Sequence, residues 1–289
     1  MSQINLIGHE KILFNFITLY KENKLPKKIL LSGAKGIGKS LLIKKFLLNI
    51  FNDEKSKLLI ENNNHTNILN IKKKDGKNNI EIDQVREIIK FSNQSAFNNK
   101  SRFILIEDAE YFNINSANAL LKSLEEPNPK VFFILIFNAY MNLIDTVKSR
   151  CVEYKMYLNI DDTKLILNKH FNENIFDKIN VNLKNYYSTP KFLISLTNYL
   201  KENNLEISDT HVDDLIKNII HSKHYEKHIF IKEYLNYIIE LFFYNHINIT
   251  KKITYKVKKY YYSKLINIRK FNLDYESFFL EFEDKLLSE

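Results

Sequence analysis

Residues 33–40 read GAKGIGKS, and Gly33, Gly38, Lys39 and Ser40 fall at the spacing G-x-x-x-x-G-K-S. The chemistry open to these types together is phosphate binding. Glycines let successive backbone N–H groups turn inward around phosphate oxygens, at the positive end of the helix that follows. Lys39 would neutralise the β and γ phosphates and the Ser40 hydroxyl would ligate Mg²⁺, with Ala34, Lys35, Gly36 and Ile37 completing the loop. A glycine turn that merely caps a helix explains the glycines but not the Lys–Ser pair at its mouth. A second candidate pair, Glu107 and Asp108, ends the apolar run FILI. An ATPase of this kind needs one strand-end carboxylate to organise Mg²⁺ and another to polarise the attacking water. Two acids that only solvate a strand end are the alternative.

These residues need elements to position them, and the pattern supplies them. KKILLSG reads as a buried strand, and KSLLIKKFLLNIF as a helix with Leu42, Ile43, Phe46, Leu47 and Ile50 at helical spacing. Strand, glycine loop and helix are the setting a phosphate loop requires. DQVREIIKFS predicts a helix with Val85, Ile88 and Ile89 on one face and Arg86 and Lys90 on another. RFILIEDAE and VFFILIFN read as further buried strands, and SANALLKSLEEP as a helix stopped by Pro127. The Lys/Asn-rich residues 52–79 read as partly mobile surface with one strand at TNILNI. Strands alternating with helices predict a parallel α/β sheet up to about Cys151. Beyond it, DDTKLILNKHF and TPKFLISLTNYL predict a small helical domain. From about Glu206, DDLIKNII, IFIKEYLNYIIELFFYNH and YESFFLEFEDKLL are amphipathic helical segments. No period repeats, which argues against a solenoid.

Composition narrows the class. A chain of 289 residues with 45% hydrophobic and 27% charged content has core enough for two or three globular domains. Five glycines and four prolines against 17 tyrosines and 21 phenylalanines suit a helix-rich chain with few tight turns. The one cysteine, Cys151, allows neither an internal disulfide nor a thiolate zinc site; it reads as a small packing residue in a reducing compartment. The start MSQINLIGHEKILF lacks a secretory pattern, and VFFILIF falls far short of the roughly 20 residues of a membrane span. A cytoplasmic protein without membrane contact is expected. Lys+Arg 43 against Asp+Glu 34 gives +9, which suits a polyanionic partner such as nucleic acid, or equally reflects a Lys/Asn/Ile coding bias.

The stretch IEDAEYFNINSANALLKSLEEPNPKVFFILIFNAYMNLIDTVKSRC resembles the core of the bacterial clamp-loader AAA+ family. Members usually read D-E-x-x at this strand end, then N-A-L-L-K-x-L-E-E-P, then S-R-C. NLIGHEKIL, DQVREI and FNLDYESFFLEFEDKLL are similar to the delta-prime branch of the DNA polymerase III clamp loader, so the likeness runs through the whole chain in order. It implies an AAA+ RecA-like nucleotide-binding domain over 1–152, a helical lid over 153–205, and a helical collar over 206–289 that joins a circular pentamer. The cofactor would be ATP or ADP with Mg²⁺. The partners would be gamma/tau-type and delta-type subunits, the sliding clamp and primer-template DNA.

The resemblance also assigns residues. Glu107 takes the slot that organises Mg²⁺ through water, and Asp108 the catalytic slot, an inversion of the usual order. The shorter side chain leaves Asp108 about 1.5 Å short of the water, and about 1 Å of misplacement can cost ~10²-fold in rate. The chain should bind nucleotide and hydrolyse it poorly. Arg150, the S-R-C arginine, would act on the γ phosphate held by a neighbouring subunit; an ordinary salt-bridged arginine is the plainer reading. Asn138 aligns with the first sensor, or serves as turn chemistry. Lys191 stands where a second-sensor arginine is usual, in STPKFL rather than G-S-P-G-R-A-L. Arg86 and Lys90 would line the DNA-tracking chamber, or form a solvated face. The family's four-cysteine module is missing, so no zinc is expected. A catalytically active gamma/tau-type ATPase is the alternative, although a motor should carry Asp then Glu at 107 and 108. A standalone P-loop enzyme leaves S-R-C without a purpose. His221, His224 and His228 read as a solvated helix face rather than metal ligands, and YYYSKL (residues 260–265) as helix packing.

Overall fold

The computed structural model describes residues 6–74, 76–94, 100–126, 128–184, 186, 188–246, 254–271 and 273–287. The expected helix stop, Pro127, lies outside the described residues. By contacts the chain divides into two compact units, Met1–Asp162 and Thr163–Glu289.

The first unit is built on five parallel strands: β1 (Lys28–Gly33), β2 (Ile68–Ile71), β3 (Arg102–Ile106), β4 (Val131–Asn138) and β5 (Val152–Lys155). Their order is β2-β3-β4-β1-β5. The central strands are continuous apolar runs because both faces are covered by helices. Alternation along them splits two cores. Ile29, Leu31, Phe103, Leu105, Phe132, Ile134 and Ile136 face α1 (Glu10–Lys21), α2 (Lys39–Ile50) and α3 (Glu54–Glu61). Leu30, Ile104, Ile106, Val131, Phe133, Leu135 and Phe137 face α4 (Ile82–Asn93), α5 (Ile114–Glu125) and the short α6 (Asp145–Lys148). On the first face Phe103 and Phe132 stack at 5.1 Å, a geometry worth about 0.5–1.5 kcal/mol beyond burial.

Three elements had no clear sequence signal. Helix α1 buries only Phe16 fully, so its pattern is thin. Helix α3 lies inside the stretch read as polar surface. It forms because Asp53 Oδ1 accepts from Ser56 N at 2.9 Å as an N-cap and Ile60 is buried. Strand β5 extends the sheet past Cys151. As an edge strand none of its residues is buried, so it lacks an apolar run.

Every described element of the second unit is helical: the end of α7 (Ile160–Phe171), α8 (Ile175–Lys178), α9 (Val181–Lys184), α10 (Pro190–Glu202), α11 (Val212–His221), α12 (His224–Lys227), α13 (Ile229–His246), α14 (Tyr255–Phe271) and α15 (Glu276–Phe282), then a π-helical turn Glu283–Leu287. A single hydrophobic core contains residues from both 153–205 and 206–289, for example Leu196 and Phe278. Tyr261 and Leu265 sit in this core, as packing residues.

The three histidines do not form a solvated helix face. Lys223, with φ 49°, breaks the chain between α11 and α12. His224 and His228 are half-buried against Tyr199, whose hydroxyl lies 2.8 Å from His224 Nδ1. Burial lowers the His224 pKa. Among the described residues no group of three or more His, Cys, Asp or Glu could hold a metal, and no helix is long and apolar enough to cross a membrane.

Candidate functional site

The carboxyl ends of β1, β3 and β4 bring the candidate residues of the first unit together. Gly33 and Asn138 are register partners at the ends of β1 and β4, and Glu107 directly follows β3. This end of a parallel sheet is where ligands of open α/β folds bind.

The loop is shaped by its glycines at two positions. A Cβ on Gly33 would lie 2.4 Å from the Met156 carbonyl oxygen, so the strand can leave the sheet here only as glycine. Gly38 takes φ 99° at the N-cap of α2, a conformation glycine adopts freely. No side chain caps α2 and no acid occupies its first turn. The positive end of a twelve-residue helix therefore opens onto the loop.

Lys39 is 7% exposed, and its Nζ donates to the carbonyls of Gly33 and Ala34, each at 2.7 Å. Burial pushes its pKa down to about 8, against the opposing pull of Glu110 and Asp108. The ammonium is thus partly desolvated and under-compensated, the state in which an arriving anion is most strongly felt. Ser40 Oγ donates to Glu107 Oε2 at 3.1 Å. A hydroxyl and a carboxylate at that separation fit Mg²⁺, which typically takes one or two protein oxygens and fills its octahedron with water and phosphate. Asp108 sits in the left-handed region, φ 57°, and opens the 3-10 turn Ala109–Tyr111. Aspartate tolerates that backbone better than most residues.

Sequence reasoning missed two residues. Glu110 is swung back by that turn, so its Oε2 accepts from Asn138 N at 3.1 Å, and burial raises its pKa. Nothing in the order of residues announces this, because the turn alone creates the approach. His9, 2% exposed, places Nε2 2.8 Å from the Ile37 carbonyl. Only a donating Nε2–H satisfies a carbonyl, so a ring kept neutral by burial pins the loop from beneath. No signal in the sequence points to it, because neither its burial nor helix α1 is legible there.

The other candidates are placed as follows. Asn138 Oδ1 accepts from Tyr140 N at 3.3 Å, so its turn chemistry is realised. Arg150 is half-buried at the tail of α6, its side chain 31% exposed. Its Nε and Nη2 donate to Glu125 Oε1 at 3.0 and 2.5 Å, and Nη1 to the Thr146 carbonyl at 2.8 Å. The salt bridge of the plainer reading is therefore present within the chain. Cys151 is half-buried against the second core, with its thiol pushed up to about 11 by burial. Arg86 is exposed and paired with Asp83 at 2.7 Å, and Lys90 is exposed one turn on. Lys191, in the second unit, pairs with Glu233 at 2.7 Å near the start of α10.

Comparison with known proteins bears on this arrangement. The family described as "DNA polymerase III, delta subunit" matches residues 8–158, just over half of the 289. A DNA polymerase III subunit delta' of Pseudomonas aeruginosa is 34% identical over 134 residues, 43% of this chain and 41% of that protein. A DNA polymerase III subunit gamma of Buchnera aphidicola is 26% identical over 223 residues, 71% of this chain and 61% of that protein. Both matches span less than two thirds of the relative's length. A solved DNA polymerase III gamma subunit-related protein of Thermotoga maritima superposes with a TM-score of 0.47 at 15% identity, over 93% of this chain and 96% of that one. With a family model matching residues 8–158, which hold all five strands, and several relatives named delta', the chain belongs to the DNA polymerase III delta-subunit family, as a delta-prime-like clamp-loader subunit.

Proposed function

We propose that this chain is the arm of a clamp loader that lends an arginine to its neighbour. It holds ATP or ADP with Mg²⁺ at residues 33–40 and hydrolyses it poorly. Arg150 completes the nucleotide site of an adjacent gamma/tau-type ATPase. The assembly, with a delta-type subunit, opens a sliding clamp onto primer-template DNA in the cytoplasm. Residues 153–205 serve as the lid and 206–289 as the collar of the ring.

The observation that carries this reading is the state of Arg150. The guanidinium has five N–H donors. Three are engaged within the chain, leaving one N–H on each of Nη1 and Nη2 at a partly exposed position. A planar, permanent charge so placed suits a phosphoryl group whose charge spreads in the transition state, a role worth ~10³–10⁵ in rate elsewhere. Acting in trans, it needs no working hydrolytic site on its own chain. That agrees with the inverted acids at 107 and 108. In the chain's own loop, Lys39 exchanges the Gly33 and Ala34 carbonyls for phosphate oxygens, and Ser40 and Glu107 hold the metal. Mg²⁺, when bound, neutralises charge on the phosphates. Asn138 completes the nucleotide contacts, and Arg86 and Lys90 meet DNA phosphates.

The second reading, an active gamma/tau-type motor, is favoured by the gamma relative that matches 71% of the chain and by the intact loop. ATP turnover separates them. The arm is silent alone, and turnover by the reconstituted loader falls ~10³-fold or more with Arg150→Ala. Robust turnover by the chain alone supports the motor, and loader turnover indifferent to Arg150→Ala overturns the arm.

A further inference from the structure

Glu125 is the last residue of α5, and Glu126 caps that helix. Two acids at a helix C-terminus oppose the macrodipole, which favours cations there. Glu125 is oriented nonetheless, its Oε1 accepting from both Nε and Nη2 of Arg150, while the Thr146 carbonyl takes Nη1. Its side chain is 51% exposed, and ion pairs that open to water contribute little to stability. What the pair does is remove freedom. A free arginine samples many rotamers, whereas this one is gripped along one edge and at one nitrogen by two elements of the sheet unit, α5 and α6.

We propose that Glu125 is the positioning residue for Arg150: it fixes the guanidinium by its Nε–Nη2 edge, so that the uncommitted N–H groups of Nη1 and Nη2 are presented to the terminal phosphate of a nucleotide on a neighbouring chain. The inference rests on the trans-arginine reading and deepens it. Ordering the side chain beforehand lowers the entropic cost of meeting the transition state, so the effect falls on turnover rather than on nucleotide affinity. Glu125 touches no phosphate itself; it acts through Arg150 alone.

The test uses the full chain in a reconstituted loader with its ATPase and delta-type partners. Glu125→Ala is expected to lower kcat for ATP about tenfold while KM stays within about twofold, as for a small misplacement of a catalytic group. Glu125→Gln, which keeps an acceptor without the charge, loses less and guards against a folding defect in the alanine variant. The double variant Glu125→Ala/Arg150→Ala matches Arg150→Ala alone, since coupled residues are not additive. Unfolding of the isolated Glu125 variants in urea keeps the parent midpoint. If Arg150→Ala alone has no effect, the trans-arginine reading itself fails. If Arg150→Ala collapses turnover while Glu125→Ala leaves it unchanged or raises it, only the positioning role is overturned. A double variant clearly worse than Arg150→Ala also overturns it.

Discussion

Adding Mg-ATP to the isolated chain at pH 8 is expected to take up about half a proton per site, and the proton goes to Lys39. With its pKa held near 8 by burial, about half of the Lys39 side chains are neutral at that pH. Phosphate oxygens against Nζ restore the ammonium. The uptake should fall to about 0.1 proton at pH 7 and rise to about 0.9 at pH 9. The same shift sets a stability effect. A lysine whose folded pKa lies below its unfolded value costs stability while it is charged. That cost is fully present below pH 8 and is relieved as pH rises from 8 towards 10.5. The difference, 10.5 − 8 = 2.5, corresponds to about 3 kcal/mol at 1.36 kcal/mol per unit. Lys39→Met keeps the aliphatic stem, removes the charge and forfeits two hydrogen bonds of about 1 kcal/mol each. The variant should therefore be about 1 kcal/mol more stable than the parent at pH 7, lose that margin by about pH 9, and be the less stable of the two at about pH 10. Calorimetry in buffers of different ionisation enthalpy measures the proton, and urea unfolding at these pH values measures the margin. Nucleotide binding at pH 8 with no proton uptake, or a Lys39→Met variant clearly less stable than the parent at pH 7, would refute the reasoning.

Gly33→Ala places a methyl group 2.4 Å from the Met156 carbonyl oxygen; urea unfolding should show a loss of about 1–3 kcal/mol, the usual cost of overpacking. Exchanging the acids, Glu107→Asp with Asp108→Glu, should raise the chain's basal ATP turnover at least about tenfold by restoring reach. Because position 108 is left-handed, the same exchange should cost up to about 1 kcal/mol of stability, and a steady-state assay beside a urea curve reads both. Glu110 carries a pKa raised by burial, so its charge destabilises the fold above that pKa and the cost disappears as pH falls through it. Glu110→Gln keeps an acceptor for Asn138 N and should be more stable than the parent at pH 8, with the gap closing toward pH 4; an unchanged gap across that range counts against the assignment.

Much of the sheet unit was legible because its physics is local. The runs ILL, FILI and VFFILIF are apolar at every position, which a strand covered on both faces tolerates, and each became part of a parallel strand. The glycine loop could be read because Gly33, Gly38, Lys39 and Ser40 fall within one short stretch, residues 33–40, between a strand and a helix. Strand β5 and helices α1 and α3 were illegible for the opposite reason. β5 is an edge strand with no buried residue, and α1 and α3 bury one residue each, so their stability comes from neighbours and caps rather than from their own pattern. The spacing of His221, His224 and His228 misled because one left-handed residue, Lys223, ends the helix between them.

The sequence by itself determined the loop, the paired acids and the motif around Arg150, since these depend on which residue types are neighbours along the chain. Only the tertiary structure decided that Lys39 is buried against the Gly33 and Ala34 carbonyls, that Glu110 returns to the end of β4, and that Arg150 is held by Glu125, 25 residues earlier. The physical reason is that charge and desolvation act through space. The protonation of Lys39 and the aim of Arg150 are set by groups whose approach arises from the folding of the sheet and its turns.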